Sequence, residues 1–413
     1  MRILVVCQYY YPEPFRITDI CEEWVKQGHE VQVVTGKPNY PMGEVYKGYE
    51  GKEKQDEVVN GVKIHRCYEV PRKKGILYRF LNYYSFMFSA NKYIKKIKSQ
   101  FDVVFANQLS PIMMAKPAIT YKKKYGSKVV LYCLDLWPES LVAGGVKRNS
   151  FLYRHYHKVS KKIYNSVDKI AITSQLFKRY LNEQFSIPDD KITYMPQYAE
   201  DIFGVNDCLK EANGRIDLLF AGNIGQAQSV ETIIRAANET KDLKNLYWHI
   251  VGDGSALEKC KTLSAELNIQ NIIFYGRKPL KEMPSFYQKA DAMLVTLMKD
   301  DVLSLTLPGK VQTYMAAGKP IIASADGEIA TVIQDARCGF CVLAESYRQL
   351  AYKVREFCKL QEEKRIELGK NSRDFYEKNF DKAVFFGKVK GVLDESFNDK
   401  FRVRNSKYGA HLY

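Results

Sequence analysis

Three short stretches of this sequence set glycine beside groups that suit anions. In Phe220-Ala221-Gly222-Asn223-Ile224-Gly225, small residues follow an apolar β-type run and precede a helical one. Backbone N–H groups and a helix N-terminus can approach a phosphate there; a tight left-handed turn is the competing reading of the same glycines. In Leu305-Thr306-Leu307-Pro308-Gly309-Lys310, free amides and one cationic side chain converge where a helix opens over 311–317, which suits a diphosphate. The alternative is a Pro-Gly turn beside a solvated lysine. Val251-Gly252-Asp253-Gly254-Ser255 also joins a strand to a helix, and reads first as a cap by Asp253 or Ser255, with ligand contact second.

The acids follow a different logic. In Cys133-Leu134-Asp135-Leu136-Trp137-Pro138-Glu139-Ser140 a strand ends at Asp135, and such a carboxylate points into the ligand crevice of an open α/β sheet. Pro138 fits the first turn of the next helix, and Glu139 reads as a first-turn charge favouring the helix dipole. No Asp-x-Asp is placed to hold a divalent ion. The CxxC from Cys338 to Cys341 lacks a second pair or a nearby histidine, so no metal is predicted. The 9 cysteines read as buried, reduced thiols of a cytosolic protein.

These groups need elements to hold them. Residues 1–8, 31–35, 62–66, 101–106, 128–133 and 169–173 read as strands, with helical spacing between them at Ile17, Ile20, Cys21, Trp24 and Val25 and again over 113–125. That order predicts right-handed βαβ units in a doubly wound sheet. After a polar connection over 201–214 the pattern restarts, with strands over 217–221, 246–251, 272–275, 292–296, 320–323 and 339–343, and a tail helix over 380–401. The expected architecture is α/β: two Rossmann-like domains facing across a cleft. Residues 1–204 plus 381–413 form the acceptor-side domain, and 205–380 the nucleotide-sugar-binding one.

At 413 residues the chain exceeds what one core usually serves, and Lys+Arg 63 against Asp+Glu 47 leaves a net charge of +16 that attracts polyanions. The stretch from Arg72 to Lys98 mixes Lys73, Lys74, Arg79, Lys92, Lys95 and Lys96 with Leu77, Phe80, Leu81, Tyr84, Phe86, Met87 and Phe88. Such a helix either lies on an anionic bilayer or packs in a core with a solvated basic face. The opening residues lack a signal-peptide pattern, and no apolar run approaches the ~20 residues of a spanning helix. The expectation is therefore a cytoplasmic protein, peripheral on the inner membrane face. Basic residues are spread along the chain without a nucleic-acid motif, so no nucleic acid is expected.

Taken in order, Tyr11-Pro12-Glu13-Pro14 with Arg16, Gly28-His29-Glu30-Val31, Pro38-Asn39-Tyr40-Pro41 with Gly43, Asp135 to Ser140, Gly222-Asn223-Ile224-Gly225 with Gln228, Gly252-Asp253-Gly254, and Tyr314-Met315-Ala316-Ala317-Gly318-Lys319-Pro320 resemble glycosyltransferase family 4, of GT-B fold. Within it the chain is most similar to bacterial O-antigen and capsule transferases resembling N-acetylfucosamine transferases. The resemblance implies that Gly222, Asn223, Gly225, Gln228 and Asp253, with Leu307, Gly309, Lys310 and Thr313, hold the donor. It also implies that Tyr275 and Arg277 line the base pocket, and that Tyr11, Glu13, Arg16, Asn39 and Tyr40 face the acceptor and the donor phosphates. Two departures stand out. Leu305 and Thr313 occupy the positions of a common Glu-x7-Glu pair, for which Asp300, Asp301, Ser304 and Glu328 are possible substitutes. Gln228 stands where a basic residue is usual.

What the resemblance implies chemically is transfer of a hexose from a UDP-sugar to a polyprenyl-diphosphate-linked saccharide, with retention of configuration and no cofactor. Lys310 would stabilise the leaving diphosphate, and Asp135 would orient the acceptor hydroxyl or stabilise the oxocarbenium charge. Two rivals share the architecture: a UDP-sugar epimerase, which needs carboxylates or histidines facing the sugar, and a two-lobed sugar-binding protein.

Overall fold

The computed structural model describes residues 1–73, 75–142, 144–204 and 214–408. Lys74, the connection over 205–213 with its domain boundary, and residues 409–413 lie outside the described residues.

Short apolar runs build an eight-stranded sheet from β1 (Arg2–Val6), β2 (Glu30–Thr35), β3 (Asp56–Val59), β4 (Val62–Arg66), β5 (Val103–Gln108), β6 (Lys128–Cys133), β7 (Lys169–Ile172) and β8 (Ile192–Tyr194), in the order β3-β4-β2-β1-β5-β6-β7-β8. The pairs from β4 to β8 are parallel, and β1 and β5 are buried along their length, as strands covered on both faces must be. The strand order reverses between β1 and β5, so a crevice opens beyond their C-terminal ends.

A second sheet contains β9 (Ile216–Ala221), β10 (Leu246–Val251), β11 (Ile272–Gly276), β12 (Ala292–Thr296), β13 (Ile321–Ser324) and β14 (Gly339–Val342), ordered β11-β10-β9-β12-β13-β14 and parallel throughout. Its reversal falls between β9 and β12. Leu218, Phe220, Trp248, Ile250 and Leu294 from the strands close its core against Val354 and Phe357 of the helix Tyr347–Lys359.

Residues 1–173, 177–195 and 388–413 form one compact unit; residues 174–176 and 196–387 form the other. The C-terminal helix Lys382–Tyr408 therefore begins in the second unit and continues in the first.

Several elements depart from the sequence reading. β3 runs antiparallel to β4 through the Asn60-Gly61 turn, both residues at positive φ (50° and 82°), so the first sheet is mixed at that edge. Residues 113–125 are not one helix: a 3-10 turn, Ile112–Ala115, precedes the α-helix Lys116–Tyr125. The tail is preceded by a separate helix, Glu362–Asn379. Among the described residues no helix is long and apolar enough to cross a membrane.

Candidate functional site

In the second unit the two glycine loops lock backbone to backbone at the end of β9 and β10. The Gly222 and Ile224 amides donate to the Val251 and Asp253 carbonyls, and Ala256 N–H returns to the Ile224 carbonyl. Gly252 and Gly254 have φ of 148° and 155°, and a Cβ on either would strike the backbone of the Gly222 loop. Close approach therefore explains these glycines. The helix there begins at Leu257 with Ala256 as its cap residue, so neither Asp253 nor Ser255 caps it, a correction to the sequence reading. Asp253 Oδ1 instead accepts from its neighbour Gly254 N–H at 2.7 Å.

The Gly222 loop is thus less open than its composition suggests. Gly225 N–H donates to Gln228 Oε1 at 3.1 Å, and Asn223 Nδ2 donates to the same oxygen at 2.9 Å. Gln228 ties the loop, and the Asn223 N–H is its remaining amide.

Lys310 meets this loop from the helix Gly309–Ala316. Its Nζ lies 3.9 Å from the centroid of the Phe220 ring and 3.0 Å from where a Cβ on Gly222 would stand. That nitrogen is buried with no hydrogen-bond partner among the described residues, and burial pushes the amine down to about 7. An enclosed cation without a counter-ion is costly unless an anion completes it. Gly309 is exposed beside it and Leu307 is buried just before the helix.

Other donor-side expectations fare differently. Thr313 Oγ1 donates back to the Gly309 carbonyl within its own helix at 2.9 Å. The Tyr275 hydroxyl meets His249 Nδ1 at 2.9 Å, and His249 Nε2 meets Asp217 Oδ1 at 2.8 Å, so this phenol is engaged on the sheet face. Arg277 is exposed and makes no ion pair among the described residues. The carboxylates considered for the missing Glu pair are engaged too. Asp300 Oδ1 accepts from Val302 and Leu303 N–H, and buried Glu328 accepts from the Gln175 and Leu176 amides. Ser304 donates to the Asp301 carbonyl.

In the first unit, polar groups gather beyond β1. Glu13 is buried; its Oε1 accepts from Asn39 and Tyr40 N–H at 2.8 and 2.7 Å, and its Oε2 from Tyr10 N–H at 3.2 Å. Burial pushes this carboxyl up to about 7 against those three amides. Asn39 is fully buried: its amide donates to Glu69 Oε1 and the Lys37 carbonyl, and its Oδ1 accepts from Arg72 N–H. Glu13 and Asn39 therefore fasten two loops together from within, whereas Tyr11 and Tyr40 keep 37% and 38% of their surface open. Arg16 stands at the N-cap position of the helix Ile17–Lys26.

Behind these loops sits a group the sequence reading missed. Glu69 accepts from Gln8 Nε2 (2.9 Å), Asn39 Nδ2 (2.6 Å) and Asn82 Nδ2 (3.3 Å). Burial drives its carboxyl well above the ordinary range. Asn82 comes from the helix Ile76–Lys96, which buries Tyr83, Phe86, Met87, Ala90 and Ile94.

Asp135 stands just past β6, as expected. Its Oδ2 accepts from Ser110 N–H (3.0 Å) and Ser110 Oγ (2.9 Å), and Trp137 Nε1 donates to that same Oγ. Oδ1 accepts no hydrogen bond among the described residues. Burial raises this carboxyl, opposed by Ser110 and by the charge of Arg72. Glu139 stands in the first turn of the helix Glu139–Val142, as expected, but it is buried and accepts from Arg148, Tyr153 OH (2.7 Å) and Tyr180 OH (2.9 Å).

The basic stretch matches the reading of a core helix with a solvated basic face. One face of Ile76–Lys96 is core, while Leu77 (69%) and Phe88 (65%) stay exposed with Leu81, near exposed Lys92, Lys95 and Lys96. The helix Phe151–Ser166 packs alongside through Tyr156, which stacks on Phe80, and it begins with Phe151, 80% exposed. Among the described residues no three His, Cys, Asp or Glu side chains gather as for a metal ion, and the described cysteines are free thiols.

With this geometry in place, residues 16–197 match the family model Glycosyltransferase Family 4 and residues 208–375 match Glycosyl transferases group 1. The chain is similar to "Probable glycosyltransferase WbjE" of Pseudomonas aeruginosa, 27% identical over 80% of this chain and 85% of that protein. It is also similar to "Putative colanic acid biosynthesis glycosyl transferase WcaI" of Escherichia coli K12, 23% identical over 97% of this chain and 99% of that one. Among solved structures, sucrose-phosphate synthase from Thermosynechococcus elongatus superposes with a TM-score of 0.75 at 15% identity, covering 96% of this chain and 99% of that one. Anabaena Alr3699/HepE in complex with UDP gives 0.70 at 11%, covering 96% and 100%. At such identities the likeness shows the fold alone, which is GT-B.

Proposed function

We propose that this chain, a glycosyltransferase with a Glycosyltransferase Family 4 domain followed by a Glycosyl transferases group 1 domain, moves a hexose from a UDP-sugar to a polyprenyl-diphosphate-linked saccharide in bacterial surface polysaccharide synthesis. The observation that carries the donor half is Lys310: a buried amine without a partner, aimed at a glycine loop beyond β9. A nucleotide diphosphate supplies the missing anion. The HepE structure solved with UDP supports the choice of nucleotide, and the name of WcaI supports the process.

In this reading the bond from the anomeric carbon to the diphosphate breaks as charge builds on the leaving group. Lys310 and the amides of Asn223 and of the Gly309 helix start stabilise that charge, the work a metal does elsewhere. Asp135 orients the acceptor hydroxyl through its open Oδ1. The departing phosphate takes the acceptor proton, and configuration is retained. The exposed apolar and basic face of Ile76–Lys96 brings the enzyme to the inner membrane surface, where such acceptors lie.

Thermal shifts with a panel of UDP- and GDP-sugars, with and without chelator, test the assignment. Stabilisation by UDP-sugars that persists in EDTA is expected. Stabilisation by GDP-sugars alone, or transfer that EDTA abolishes, would sink it.

A further inference from the structure

The arginines that brace the first unit differ in one respect. Arg66 pairs with Glu57, Arg148 with Glu139 and Arg2 with Glu30. Arg72 has no carboxylate partner among the described residues. Its Nη1 donates to the Tyr9 hydroxyl at 3.2 Å, and its Cζ lies 5.7 and 5.9 Å from the ring centroids of Tyr83 and Tyr40. A guanidinium carries five N–H groups, and one here is used inside the protein.

Its position is fixed from behind. Arg72 N–H is held by Asn39 Oδ1, and Asn39 in turn by Glu69 at 2.6 Å. Gly43, at φ 76°, lets the neighbouring loop approach so closely that a Cβ there would stand 2.8 Å from the Arg72 carbonyl. The buried polar group around Glu69 touches no solvent and serves to set this segment. The charge of Arg72 is felt at Asp135, whose Oδ2 accepts from Ser110. A planar cation with unused donors, aromatic walls and an open Tyr40 rim suits a phosphate oxygen better than any other acceptor group expected here.

We infer that Arg72 is the anion receptor of the acceptor side, binding a phosphate of the acceptor's diphosphate and so delivering the acceptor sugar to Asp135. This rests on the proposed diphosphate-linked acceptor. Arg72 is a specificity residue for the lipid-diphosphate end of the acceptor, which stays attached through the reaction, separate from the donor phosphates gripped at Lys310.

The test is calorimetric titration of the full chain, saturated with UDP to occupy the donor site, with farnesyl diphosphate and with farnesol. The diphosphate is expected to bind at least tenfold tighter than the alcohol. Arg72→Gln should erase that preference, Arg72→Lys should keep part of it, and both should leave UDP affinity and the melting temperature unchanged. A wild type that takes farnesol as tightly, or a glutamine variant that keeps the full preference, overturns the inference. Should UDP itself fail to bind, the donor reading falls, and the two probes titrated without it still decide Arg72.

Discussion

The Nζ of Lys310 lies 3.9 Å above the Phe220 ring, and no oxygen among the described residues accepts a hydrogen bond from it. A cation–π contact offsets only part of the cost of dehydrating an ammonium. Two expectations follow from the resulting fall of its pKa from 10.5 to about 7.

The first concerns stability. The unfolded chain holds this proton up to about pH 10.5, whereas the folded chain releases it near 7, so between those values the unfolded state binds more protons. The penalty is therefore complete below pH 7 and fades as pH rises toward 10.5. Lys310→Met should melt several degrees higher than wild type at pH 6, with the gain shrinking steadily by pH 10. A gain that does not vary with pH would refute a buried, discharged amine.

The second concerns the donor. A diphosphate against Nζ restores the ammonium, so UDP binding near pH 8 should take up most of one proton and weaken as pH climbs further. Calorimetry in two buffers of different ionisation enthalpy reads this directly. Lys310→Met should abolish the uptake and cut kcat/KM by about 10²–10³. Uptake that survives the substitution would assign the proton elsewhere.

Asp135 offers a cleaner separation of roles. One oxygen is committed to Ser110 and the other is open, so Asp135→Asn keeps the fold but loses the charge. Turnover should fall by about 10²–10³ while donor affinity changes less than about threefold. Because burial raises this carboxyl above 3.8, the acid limb of the rate profile should lie above an ordinary aspartate's and vanish in the variant. Equal loss of turnover and donor binding would make Asp135 a structural group.

The sheets were legible because β1, β5, β6, β9 and β12 are buried on both faces and read as continuous apolar runs. β3 is half polar and lies at an edge, so its alternation carried no such signal, although Asn60-Gly61 marked the hairpin. The positions of Asp135 after a strand and of Lys310 at a helix start were legible. Gln8, Glu69 and Asn82 were not, since they meet only when β1, β4 and the helix Ile76–Lys96 pack together. The internal bonds of Glu13 and Asn39 were hidden for a related reason: a polar side chain that closes a turn and one that faces a ligand have the same letters. Gly252 and Gly254 show the same ambiguity, their freedom serving loop contact alone.

Glu139 makes a structural expectation. It is buried and receives Arg148 and two phenols, so Glu139→Ala leaves a guanidinium and two hydroxyls without their acceptor. Losing one partner of an enclosed charged pair costs about 3–5 kcal/mol. The half-exposed Arg148 can recover some hydration, so about 2–3 kcal/mol is expected. Urea unfolding checks it, and a loss below about 0.5 kcal/mol would show the cluster to be incidental.

The exposed face of Ile76–Lys96 separates surface attraction from insertion. Leu77, Leu81 and Phe88 recur along the helix with their side chains open, while Lys92, Lys95 and Lys96 crowd its last turns. Apolar burial in the headgroup boundary is insensitive to salt, whereas attraction of lysines to anionic lipid is screened within about 8 Å at physiological ionic strength. Replacing the three lysines by glutamine should therefore weaken binding to phosphatidylglycerol vesicles at low salt and matter little at 0.5 M salt, as screening at roughly that strength is strong. Replacing Leu77, Leu81 and Phe88 by serine should weaken binding about equally at both salts, by at least tenfold. Neither set lies in the core, so melting temperatures should hold. Vesicle sedimentation that is unchanged by both sets would remove this helix from any membrane role.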